Sequence, residues 1–187
     1  MTAQEYFQKV SVALSHVKEE EVQKAVEILV KAWKEDGRVW IVGNGGSLAT
    51  ASHFANDLVK MADVSAFAVG DMGPLVSAMG NDNGWDDMYA GVVFRMWRPG
   101  DVTVGISCGG NSQNVVNALS GNVGRNSIVL TGWRGKETKL AKMGGFGAWI
   151  EAGWGDGGIR VEEDCHLAIC HYIAGAVKER VSGKGSG

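Results

Sequence analysis

The chain has 187 residues, 45% of them hydrophobic, which suits one domain with a substantial core and excludes a disordered polymer. A formal net charge of -3 leaves no basic face for nucleic acid or an anionic membrane, so an acidic ligand has to be held by local groups. No apolar run approaches a membrane span, and the opening MTAQEYFQKVSVALSH lacks the basic lead and apolar core of a signal peptide, so a cytoplasmic protein is expected. Cys108, Cys165 and Cys170 have no zinc-finger spacing and predict free buried thiols in a reducing setting. The 28 glycines fall at strand ends and turns without a repeat, as in a loop-rich α/β enzyme.

Apolar residues at three-to-four spacing predict helices over 2–17 (Val10, Ala13, Leu14, Val17) and 19–35 (Val22, Val26, Leu29, Val30, Trp33), the second closed by Gly37. This hairpin, 1–37, has no sheet of its own ahead of the first strand, which points to a role in oligomerisation. VWIVG at 39–43 predicts a short buried strand, followed by the turn Gly43-Asn44-Gly45-Gly46 and a helix opening at Ser47. Further on, the pattern predicts a strand over 65–69, a short helix over 74–79, a polar turn over 80–85 (GNDNGW) and a helix over 86–96 led by Asp86 and Asp87. A third strand, 102–106, runs into Ser107-Cys108-Gly109-Gly110-Asn111-Ser112 and a helix over 113–119. Strands over 127–131 and 148–151, a short helix over 138–142, a long helix over 162–181 and a mobile tail over 182–187 complete the chain. Strands alternating with helices imply a single α/β domain over 38–181, with a five-stranded parallel sheet covered on both faces and ligands at the carboxyl ends of the strands.

Both glycine and serine turns fall at such ends. Helix N-termini present unpaired N–H groups and partial positive charge, so each turn is a candidate phosphate cradle. A dinucleotide fingerprint is a poor match, because the place of its third glycine is taken by Leu48. At the second turn Ser107, Ser112 and the amides around Gly109 and Gly110 form a candidate phosphate nest, against the plainer reading of N-capping by Asn111 or Ser112. His53 and Asp57 stand four apart on one helix, which puts imidazole and carboxylate on one face as an acid/base or metal-ligand pair. The last helix adds Glu162, Glu163, Asp164, His166 and His171. His166 and His171 are five apart and cannot share a face, so at most one of them serves the site. Glu163 and His171 are separated by about 12 Å along a straight helix, so one metal reaches both only from between them or if Glu163 lies on a bent lead-in.

GNGGS at 43–47, HFA at 53–55, GND at 80–82, GIS and GNS within 105–112, LTG at 130–132 and H-x4-H at 166–171, in that order, resemble the phosphoheptose isomerases of the sugar-isomerase (SIS) superfamily. The resemblance spans nearly the whole chain. It implies a SIS-type domain in a homotetramer that often holds zinc, converting sedoheptulose 7-phosphate to D-glycero-D-manno-heptose 7-phosphate through an enediol. The sugar contacts implied are Asn44, Gly45, Gly46, Ser47, Asn81, Asp82 and Glu163, and the phosphate loop is Ser107 to Ser112, including Cys108, Gly109 and Ser112. His53, Asp57, Glu163 and His171 are the implied metal ligands, with Asp57 and His171 catalytic.

Four departures stand out. A family glutamate becomes Asp57, a glutamine ligand becomes Glu163, Cys108 and Gly109 replace Thr and Ser, and no arginine follows Asp57, where Lys60 is the nearest cation. Two histidines with two carboxylates suit zinc and also manganese or iron. Isomerisation of a different ketose phosphate, and a non-catalytic SIS-domain adaptor, are the alternatives.

Overall fold

The computed structural model describes residues 1–121, 126–144, 147–155 and 157–182. Five strands, β1 (Val39–Gly43), β2 (Ala66–Ala68), β3 (Val102–Ser107), β4 (Ser127–Thr131) and β5 (Ala148–Glu151), pair in parallel in the order β2-β1-β3-β4-β5. Every residue of β1, β3 and β4 is buried, as expected of parallel strands covered on both faces. Alternation along β1 sends Val39 and Ile41 to one face and Trp40 and Val42 to the other, so each face feeds its own core.

The first core is closed by α1 (Ala3–Ser15), α2 (Glu19–Lys34), α3 (Gly46–Ala62) and α8 (Gly158–Ser182), with Leu29, Phe54, Leu58 and Ile173 among its fully enclosed side chains. Across the sheet, α5 (Met88–Met96), α6 (Gln113–Ser120) and α7 (Lys139–Gly144) cover Trp40, Val42 and Val129 with Val93, Val115, Leu119 and Leu140. α4 (Gly73–Asn83) lies outside α5 and buries no residue fully. Of the N-terminal pair, α2 is a core helix that encloses Val22, Ala25, Val26 and Leu29, whereas α1 rests on α8 and buries Ala13 alone.

Several boundaries differ from expectation. The polar run 80–83 is not a turn but the last turn of α4, because the helix stops where Gly84 can adopt a φ of 83°. A 3₁₀ turn, Trp85–Asp87, then leads into α5, whose cap residue Asp87 accepts a 2.7 Å hydrogen bond from Asn117 of α6. Val69 leaves β2 for another 3₁₀ turn, Val69–Asp71. The last helix starts at Gly158, ahead of the expected 162, so Glu163 lies well inside a regular helix. Ser182 ends that helix, and the remainder of the expected tail lies outside the described residues.

At the amino end of the sheet the chain is fastened by Asp101, which is 3% exposed. Its carboxylate accepts hydrogen bonds from the Arg38 backbone N–H (2.9 Å), Arg38 Nη2 (2.8 Å), Trp40 Nε1 (2.8 Å) and the Arg98 N–H (3.0 Å). Burial pushes this carboxyl up, but Arg38, Trp40 and the two amides outweigh burial and hold it below its ordinary value. At one sheet edge, Glu21 of α2 reaches over to accept the Trp149 N–H of β5 at 2.9 Å.

Candidate active site

The strand order reverses direction between β1 and β3, since β2 lies to one side of β1 and β3 to the other. A cleft opens beyond the carboxyl ends at such a switch point, and the two glycine and serine turns leave β1 and β3 there. Gly45 caps α3 with a φ of 54°, which a side chain resists, and a Cβ on Gly46 would stand 2.3 Å from the Glu163 carboxylate. Glycine at 46 thus lets α8 lay an acidic group against the start of α3.

In the second turn Ser112 is the N-cap of α6, yet its hydroxyl makes no capping bond and meets the Ser107 hydroxyl at 3.2 Å. Ser112 thus holds the cap position without a side-chain capping bond, one of the two hydroxyls donates to the other, and Asn111 Oδ1 accepts the Lys139 N–H of α7 at 3.0 Å. Asn44 of the first turn and Asn114 of α6 exchange two 2.9 Å amide hydrogen bonds, which lock the turns together. The Cys108 thiol, next in the chain after Ser107, is free and buried. Burial, followed by the nearby Glu162 and Glu163 charges, pushes that thiol up to about 12, so Cys108 stays neutral beside any phosphate.

His53 and Asp57 share one face of α3, and α8, which packs along α3, delivers His171 to the same place. Asp57 Oδ2 lies 3.5 Å from His53 Nε2 and 3.7 Å from His171 Nε2, and the two rings meet edge to face at 4.8 Å. The carboxylate is 9% exposed while both imidazoles are exposed. One ligand atom from each residue lies within 4.8 Å of the other two. Two imidazole nitrogens and one carboxylate oxygen, with open solvent on one side, match the three-ligand set of a catalytic divalent site, so the residues fit a metal.

Not every expected residue joins this cluster. Glu163 lies outside it and instead lines, with His53, Gly46, Thr50 and Leu167, an adjoining cavity of about 340 Å³. Asn81 and Asp82 sit exposed on α4, hydrogen-bonded to each other at 3.0 Å and to none of the other expected site residues. Gly109 is exposed at the tip of the second turn, and Lys60 is exposed on α3. His166 is fully enclosed on the opposite face of α8 from His171, with Nδ1 3.9 Å from the Cys108 sulfur. Burial pulls its pKa down to about 4, so it is a neutral packing residue under ordinary conditions. All three cysteines are free and buried.

Asn114, and the pairing of the candidate residue Glu162 with Arg134, escaped the sequence. Asn114, wholly buried, has no local signal beyond being an amide in the first turn of a helix. Glu162, 2% exposed, is gripped by Arg134 through contacts of 2.7 and 3.2 Å and accepts the Trp133 N–H, tying α8 to the end of β4. Gly132 makes room for this carboxylate, since a Cβ there would stand 2.2 Å from it.

A parallel sheet with two glycine and serine turns at its switch point, closed by a histidine-bearing last helix, defines an α/β domain with its cleft at the carboxyl ends of the strands. The SIS domain family model matches residues 5–132. The phosphoheptose isomerase of Escherichia fergusonii is 32% identical over 169 residues, covering 86% of this chain and 84% of that one. That of Aquifex aeolicus is 29% identical, covering 92% and 91%. The solved structure of phosphoheptose isomerase from Neisseria gonorrhoeae superposes with a TM-score of 0.83 at 28% identity, over 94% of each chain. The chain belongs to the phosphoheptose isomerase family and is an isomerase of the sugar-phosphate class. Among the described residues, no helix is long and apolar enough to cross a membrane.

Proposed function

We propose that the protein interconverts sedoheptulose 7-phosphate and D-glycero-D-manno-heptose 7-phosphate through a cis-enediol. The observation that carries the reading is the Asp57 carboxylate set between two imidazoles, beside two anion-type turns. The phosphate is held by Ser47, Ser107, Ser112 and first-turn amides, with Cys108 as a neutral neighbour. Asn44, fixed by Asn114, and the backbone of Gly45, Gly46 and Gly109 shape the sugar side of the cleft. Glu163, beside His53 in the adjoining cavity, faces the sugar hydroxyls as an acceptor.

Asp57 and His171 form the acid/base pair. One takes the proton from C1 while the other protonates the C2 oxygen, giving the enediol. The return step delivers a proton to C2 and removes the hydroxyl proton at C1, leaving the aldehyde. His53, Asp57 and His171 would hold a divalent ion, zinc foremost, whose chemistry is Lewis-acid polarisation of the substrate carbonyl. Holding the phosphate end fixed keeps C1 and C2 at the pair, which is where positioning lowers the barrier. The active form is a homotetramer, to which the 1–37 hairpin and the exposed Phe7, Leu75 and Trp85 contribute apolar surface. Asn81 and Asp82, which are not part of the cluster, serve the sugar across such an interface.

The test is an NMR assay of metal-analysed protein with sedoheptulose 7-phosphate in D₂O. A new heptose anomeric signal with deuterium at C2 is the expected result. Turnover of another ketose phosphate instead would replace the substrate, and inertness toward every ketose phosphate in metal-replete protein would overturn the catalytic assignment.

A further inference from the structure

Away from that cleft, at the carboxyl ends of β4 and β5, lies a second cavity of about 200 Å³. Its walls are His16, Lys18 and Glu21 from the junction of α1 and α2, and Trp133, Lys136, Trp149 and Glu151 from the sheet side. Three indoles gather here in a chain with seven tryptophans. Trp154 stacks on His16 at 3.7 Å and 13°, and Trp133 leans on Trp154 at 4.9 Å and 55°. Trp149 is fixed by its N–H to Glu21 and by Nε1 to Thr131 Oγ1 at 2.9 Å. Yet Trp133 and Trp154 remain 42% and 45% exposed, so large apolar rings have been braced in position and left facing water.

Some of the polar groups are underused as well. Glu151 spends Oε1 on the Arg134 and Gly135 amides and has no partner for Oε2 among the described residues. Glu21, by contrast, has both oxygens in use, Oε2 on the Trp149 N–H and Oε1 on Lys24 Nζ at 3.0 Å, with Lys18 close enough to act on its charge. The Lys136 side chain makes no hydrogen bond or ion pair among the described residues. Braced aromatic faces, a carboxylate oxygen that can only accept, and the ammonium groups of Lys136 and Lys18 correspond to a ligand with one apolar ring face, hydroxyl donors and an anionic end. The cavity is below the roughly 300–1,000 Å³ of pockets for drug-sized ligands, so it admits one ring and a substituent rather than a two-ring nucleotide.

We propose that this cavity is a second small-molecule site, for a single sugar ring bearing a phosphate. The ring's C–H face lies on Trp133, its hydroxyls donate to Glu151, and the phosphate lies between Lys18 and Lys136. The site is separate from the isomerase cleft, though adjacent residues of α8 serve the two: Glu162 accepts the Trp133 N–H and Glu163 lines the other cavity. The proposal goes beyond the isomerase reading and does not depend on it.

The test uses the indole N–H signals of the full chain, with Trp133 and Trp154 assigned from W133F and W154F, in a titration with glucose 6-phosphate. Saturable shifts of both signals are expected, with little response to equal concentrations of glucose or inorganic phosphate. K136E should weaken binding at least tenfold and W133A should abolish the shift at Trp154. S112A, in the other cleft, should leave it unchanged, and so separates this site from the first. Both substituted side chains are exposed, and an unmoved Trp40 signal certifies the fold. Still signals, equal shifts with glucose or phosphate alone, saturation by adenosine monophosphate at lower concentration, or loss of the response in S112A would each overturn the proposal.

Discussion

Two aspartates sit in this molecule with little access to water, and they are treated in opposite ways. Asp101, at the amino end of the sheet, is given a guanidinium, an indole and two amides, so each of its oxygens is committed. Asp57, at the carboxyl end, has the Asn56 amide at 3.3 Å on Oδ1 and two exposed imidazoles at 3.5 and 3.7 Å from Oδ2. Completing a buried carboxylate's hydrogen bonds stabilises a fold; leaving one incomplete keeps capacity for a ligand. The same residue type therefore reads as a fastener at one end of the sheet and as chemistry at the other.

The sharpest way to break that contrast is to exchange the effects. H171A, and separately D57N, should lower turnover by about 10²–10⁴-fold, the usual weight of an acid/base group, with melting temperature nearly unchanged. Near-normal turnover would remove the pair from the mechanism. D101A should do the reverse. Stripping the carboxylate from Arg38 and Trp40 should cost about 3–5 kcal/mol in denaturant unfolding while the folded fraction keeps its turnover, and a loss of turnover per folded molecule would blur the two roles.

The turns give a smaller effect. S112A should raise KM about tenfold or more for a phosphorylated substrate by losing one donor to a charged group, at unchanged stability, because its hydroxyl caps no helix. A stability loss with constant KM would restore the capping reading.

The smallest effect is in acid. Because Asp101 has a lowered folded pKa, its stabilisation is complete above the unfolded carboxylate value of about 3.9 and fades as pH falls through the folded value. The stability gap between wild type and D101N should therefore be constant from neutral pH to about 5 and narrow below 4. A gap that widens in acid would mean that the folded carboxyl is raised.

What the sequence showed and hid divides along similar lines. β4 and β5 were read at their observed bounds, because β-branched and apolar runs there end at residues that cannot extend a strand. The spacing shows His53 and Asp57 on one face of a helix, and glycine and serine after a strand show both turns. His171 joined them only through family resemblance, since nothing local says which face of a long helix meets α3. The Asn44–Asn114 lock, the Arg134–Glu162 pair and the Arg38–Asp101 contacts join residues 28 to 70 positions apart, and such partners acquire meaning only when the sheet is assembled. The run 80–83 misled because polar composition suggested a turn, whereas the stop signal that mattered was Gly84.

The bond from Glu21 to the Trp149 amide carries a further consequence. β5 is an outer strand of the sheet, and an outer strand is a template on which another chain can add itself. By occupying one of its donors with a charged side chain from α2, the molecule blunts that template, and at the opposite border β2 offers three residues. Both borders of the sheet are thus poor seeds for strand-by-strand growth, which protects a fold built on parallel pairing while it waits, during synthesis, for its distant strands to arrive.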